Sequence, residues 1–171
     1  MNIYPQLTII RSSLVDKFYA LQTPARRDSM WARLIGKSTA LALFPEQAPE
    51  KSPNRKFIGV KDVPLEQIVG TLNRPSDFDQ KFRPLKSYLR DRWVNAYLAL
   101  ESSGWAPILV HKIGDRYYVE DGHHRVSIAR SLGMGFIQAR VWEYPVQRTK
   151  TEKYQPLHCP ERNCVQVYAA Q

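Results

Sequence analysis

The chain has 171 residues, 43% of them hydrophobic, with 25 Lys/Arg against 16 Asp/Glu and a formal net charge of +9. That length buries one core of ordinary size, so one domain with extensions is expected. The sequence has neither an apolar run near the ~18 residues that span a bilayer nor a signal-peptide core, and its two cysteines make no disulfide framework, so a cytoplasmic protein without a membrane partner is expected.

Leu7, Ile10, Leu14, Phe18 and Leu21 recur at three- and four-residue steps and predict a first helix. Thr23-Pro24 pairs an N-cap residue with proline at the first helical position, so a second helix is expected to start there, with Met30, Trp31, Leu34 and Ile35 as its apolar stripe. Residues 1–44 thus read as a basic helical extension, and the Pro-, Glu- and Lys-rich stretch 45–56 as a linker. Phe57 to Val60 begins the sheet, 71–84 reads as a charged loop, and Leu85, Leu89, Trp93, Ala96 and Leu100 predict a long helix stopped at Gly104. Ile108 to Val110 reads as a buried strand, and Gly114-Asp115 as a hairpin turn into the strand Arg116–Glu120. Val126, Ala129 and Leu132 mark a helix ended by Gly133, and Phe136 to Trp142 alternates two faces. Beyond Pro145 no period survives, and residues 145–171 read as a tail. The fold class is therefore α+β, a small mixed sheet covered by helices.

The charge is uneven. Residues 1–56 carry nine Lys/Arg against four Asp/Glu, whereas 57–144 carry twelve against ten. A basic surface attracts polyanions, which makes DNA a partner to be tested.

The densest chemistry lies in Asp121-Gly122-His123-His124-Arg125, between a strand and a helix. Helix N-termini carry unpaired N–H groups and a positive dipole end, and they normally attract acidic side chains. Two histidines and an arginine work against that dipole, and a bound phosphate would relieve the conflict. Gly122 lets the backbone approach a ligand closely. Arg125 offers a permanent charge on a planar fork, and Arg74 and Arg83 in the preceding loop are further phosphate candidates. Asp121 reads as a ligand-facing carboxylate ahead of a simple N-cap. Glu120 and Asp121 could orient or deprotonate an attacking hydroxyl, and Glu120 could hold Mg²⁺ beside substrate phosphates. The adjacent histidines lack zinc-ligand spacing, and His158, Cys159 and Cys164 lack a fourth ligand. No Walker A, Rossmann or G-x-S-x-G pattern is present.

The segment V-E-D-G-H-H-R-V-S-I-A-R-S-L-G resembles the signature of the ParB/sulfiredoxin superfamily, in the ParB N-terminal branch. Val60-Lys61-Asp62-Val63-Pro64-Leu65-Glu66-Gln67-Ile68 resembles that family's opening segment, and Phe136 to Val141 its closing strand; the likeness runs from about Phe57 to Tyr144. The resemblance implies a nucleoside triphosphate, CTP or ATP, with Mg²⁺ at the D-G-H-H-R turn. It further implies hydrolase activity and a DNA-associated role, with a homodimer among the assemblies to test. Sulfiredoxins place a cysteine where this chain has His123, so sulfinic-acid reduction is not expected. ParB partition proteins carry a helix-turn-helix after this region, and no such pattern follows Tyr144. Free-serine kinases of this fold use a similar turn, so small-molecule phosphotransfer is a rival, as is a non-catalytic basic DNA-binding module.

Overall fold

A computed structural model describes residues 4–45 and 55–145. Most of the stretch expected as a linker, and the His158, Cys159 and Cys164 group, lie outside the described residues. Three helices, α1 (Tyr4–Leu34), α2 (Arg90–Ser103) and α3 (His123–Ser131), combine with six strands. These are β1 (Ala42–Leu43), β2 (Lys56–Pro64), β3 (Ile68–Thr71), β4 (Ile108–Ile113), β5 (Arg116–Asp121) and β6 (Phe136–Tyr144). They form one mixed sheet in the order β1-β3-β5-β4-β6-β2. The β1–β3, β3–β5 and β4–β6 pairs are parallel; β4–β5 and β2–β6 are antiparallel.

Strand alternation divides the sheet's side chains between two faces. Val110, Val119, Ala139 and Val141 meet Phe18, Trp93, Val126 and Ile128 in the main core beneath the helices. Tyr118 joins Phe44 and Tyr144 in a second, aromatic cluster. In β6, Ile137, Ala139 and Val141 are buried, while Phe136, Gln138 and Arg140 are exposed.

Three expectations change. The helical pair is one continuous helix with Pro24 inside it. An interior proline loses a backbone hydrogen bond and costs about 3 kcal/mol, but buried Leu14 and Phe18 before it and Ala25 after it hold both halves against the body. The loop after β3 is not a solvated connection. Phe78 and Phe82 are buried in it, and Asp79 accepts the backbone N–H groups of Lys81 and Arg83 at 3.0 and 2.8 Å. Arg130 of α3 fastens this loop to the sheet, donating to the carbonyls of Leu65, Ile68 and Gln80. The long helix also starts later than its apolar pattern predicts, since Ser87–Leu89 is a 3-10 turn leading into α2.

Phe18 is fully buried and packs edge-on against Trp93 at 5.9 Å. Phe18→Ala should therefore cost about 3–5 kcal/mol, the range for deleting a buried phenyl ring. Urea unfolding measures this, and a loss below about 1 kcal/mol would show that α1 adds little to the main core.

Candidate functional site

The ends of β3 and β5 and the start of α3 meet at one groove of about 450 Å³, whose lining includes Arg74, Arg92, Trp105, Glu120, Asp121 and the turn Gly122–Arg125. That size lies within the range of small-molecule sites. A second recess of about 540 Å³ shares Asn73, Arg74 and Arg92 with it and reaches Asp77 and Tyr88.

The turn depends on Gly122. Its φ of 107° lies in the left-handed region, and a Cβ there would come within 2.4 Å of the Ile108 side chain. Only glycine meets both demands. Gly122, not Asp121, is the N-cap, so α3 begins with no side-chain cap and no acidic residue in its first turn. The helical ladder opens with Val126 N–H donating to Gly122 O at 3.0 Å. The N–H groups of His123, His124 and Arg125 precede it and have no intrahelical acceptor.

Thr71 organises the opposite wall. Its Oγ1 accepts the backbone N–H groups of Asn73 and Arg74 at 3.2 and 3.1 Å and lies 2.7 Å from His123 Nε2. A hydroxyl has two acceptor lone pairs and one hydrogen. Both lone pairs are used by the backbone, so Thr71 donates to Nε2 and the ring hydrogen of His123 sits on Nδ1. Burial first, then Arg74 and His124, push the His123 pKa down to about 4. For His124, burial first, then Arg74 and Arg92, bring it to about 4 as well. Near pH 7 both rings are neutral, so they offer hydrogen-bonding nitrogens and not charge. Both ring nitrogens of His124 are buried and have no hydrogen-bond partner within the described residues.

The acidic residues divide by face. Glu120 Oε2 lies 2.6 Å from Nε2 of buried His111, whose Nδ1 lies 2.9 Å from the Tyr144 hydroxyl. Asp121, with its side chain 75% exposed, receives Arg125 NH2 on Oδ2 at 2.5 Å. Arg125 also donates through NH1 to Ala106 O. Its guanidinium thus ties the end of β5 to the segment before β4. Among the described residues no three His, Cys, Asp or Glu side chains cluster as a metal cage.

Of the residues expected at the site, Arg74, Glu120, Asp121, Gly122, His123, His124 and Arg125 are brought together. Arg83 is not. Its Nε donates to Asp79 Oδ2 at 2.8 Å and its NH2 to Asp28 at 2.9 Å, within the loop and toward α1. Asp79 stands four residues before Arg83, and that spacing was a sequence signal for a local pair. Thr71, Arg92 and Trp105 were missed; Arg92 sits among the charges of α2, and only the fold turns it to the groove.

No family profile matches the chain, and no curated protein matches its sequence. Among solved structures, the crystal structure of sulfiredoxin from Arabidopsis thaliana is similar over 48% of this chain and 82% of that chain, at 24% identity and a TM-score of 0.36.

The neutral histidines fix a pH dependence. The unfolded chain binds a proton at each near pH 6.5, whereas the folded chain resists until about pH 4. Their contribution is complete above pH 6.5 and is lost as pH falls toward 4, by about 2 kcal/mol per histidine between pH 7 and 5. His124→Gln should remove its share of that slope in urea unfolding at the two pH values. An unchanged slope would mean that His124 titrates normally.

Proposed function

We propose that the groove at the start of α3 binds the polyphosphate of a nucleoside triphosphate, CTP or ATP. The observation that carries this reading is an uncapped helix N-terminus opening from a glycine beside the guanidinium groups of Arg74 and Arg92. First-turn N–H groups and arginines together satisfy an anion better than either does alone. His124, with both ring nitrogens buried and unpaired, supplies a further group that a ligand would satisfy. The resemblance of V-E-D-G-H-H-R-V to the ParB/sulfiredoxin signature supports the same ligand class.

The roles within the turn differ from those its composition alone implies. Arg125 holds the turn through Asp121 and Ala106, while Arg74 and Arg92 supply the charge that neutralises phosphate. Mg²⁺ binds through few carboxylates plus substrate phosphates, and in this reading exposed Asp121 would contribute the carboxylate, since Glu120 turns away to His111. The ion would screen phosphate charge. In this reading Asp121 or Glu120, the latter hydrogen-bonded to His111, would accept a proton from an attacking water or hydroxyl. Hydrolysis in a DNA-associated role is the leading outcome. Phosphoryl transfer to a small hydroxyl compound is the second, favoured by the adjoining recess at Asp77 and Tyr88, which leaves room for an acceptor.

Calorimetry with the four ribonucleoside triphosphates, each with and without Mg²⁺, tests this reading. One or more should bind, and Arg74→Ala or Arg92→Ala should weaken binding by about 1.5–3 kcal/mol, the range for hydrogen bonds to charged groups. Nucleotide consumption that requires an added hydroxyl acceptor would select the transferase. Failure of all four to bind, with salt-sensitive duplex affinity retained, would select the non-catalytic DNA module.

A further inference from the structure

We propose that the C-terminal turns of α1 form a docking surface for an anionic lipid bilayer, with Met30, Trp31, Leu34 and Ile35 entering the interface and the surrounding cations meeting the headgroups. The last buried residue of α1 is Ala25; no side chain from Arg26 to Leu34 is buried. Yet these turns carry four large apolar side chains at 62%, 61%, 72% and 64% exposure, in the order named. Such a cluster needs an explanation that a scattered exposed leucine does not.

The direction of the stripe matters. At about 100° per residue, Leu34 projects about 180° from Ala25, whose side faces the core. Met30 and Trp31 flank Leu34 on that outward side, and Ile35 continues the stripe just past the helix end. One helix therefore carries two apolar stripes on opposite sides, first toward the body and then away from it. Averaged along the helix the two cancel, which is why the spacing alone gave no membrane expectation.

The charges complement the stripe. A groove of about 1090 Å³ runs beside it, lined by Arg26, Arg27, Arg33, Lys37 and Lys86 with no acidic side chain. Arg26, Arg33, Lys37 and Lys86 enter no ion pair among the described residues. Apolar and aromatic side chains bordered by Lys and Arg are the composition of helices that lie in a bilayer interface, and anionic headgroups attract such cations at short range. A DNA duplex would meet the cations and leave the apolar side chains wet. A second copy of this chain would set cation against cation. Among the described residues no helix is long and apolar enough to cross a membrane, so the contact is peripheral.

This surface is separate from the groove at α3, and its test does not involve nucleotide. The full chain should float with vesicles of phosphatidylcholine containing 30% phosphatidylserine, and should not float with phosphatidylcholine alone. Trp31→Ser/Leu34→Ser should reduce binding at least tenfold with an unchanged melting temperature, since neither side chain is buried. Arg33→Glu/Lys37→Glu should reduce it equally, as should raised salt. Absence of flotation with the anionic vesicles would overturn the proposal. So would flotation that survives the Trp31→Ser/Leu34→Ser change, or duplex DNA binding lost in Arg33→Glu/Lys37→Glu without any vesicle association.

Discussion

The hydroxyl of Thr71 is the joint on which the groove depends. Strand β3 ends there, parallel to β5, and the chain must leave the sheet close to where α3 begins. By accepting two backbone N–H groups and donating to His123, one buried hydroxyl fixes the path of the loop, the position of Arg74 and the tautomer of a histidine in α3. Replacing it with valine would take the hydroxyl partner from those N–H groups and from the buried imidazole nitrogen, the last at a cost of roughly 1–3 kcal/mol.

Around that joint the site separates structural charge from available charge. Arg125 and Arg83 are held by carboxylates and carbonyls of their own surroundings, so they act as braces. Arg74 has only a 3.5 Å contact with Asp77, and Asp77 also accepts the Tyr88 hydroxyl, whose pKa that bond raises. The two histidines, which count as basic in a sequence, are neutral by burial. A polyphosphate arriving here would meet N–H groups and two arginines, on a floor whose shape is already set.

The legible parts of the fold were those with local causes. The hairpin turn at Gly114-Asp115, the stop at Gly104 and the alternation in β6 each follow from residues within a few positions. The D-G-H-H-R turn was legible because glycine and the absence of an acidic first turn conflict with ordinary capping. What stayed hidden was decided at long range. Pro24 reads as a helix start until Phe18 and Ala25 are seen packed on one body. Two-residue β1 carries no period of its own and forms only because β3 offers an open parallel edge. Arg83 and Arg74 look alike in a charged loop; the difference is the distance to Asp79 and Asp28.

The most direct test of the central claim is the amide spectrum of ¹⁵N-labelled full-length protein, titrated with CTP and with ATP in Mg²⁺. A triphosphate seated on the start of α3 should move the backbone N–H signals of His123, His124 and Arg125 first and furthest, together with the side-chain signals of Arg74 and Arg92. A titration in which those signals stay in place while others move, or in which none moves at millimolar nucleotide, would contradict the account.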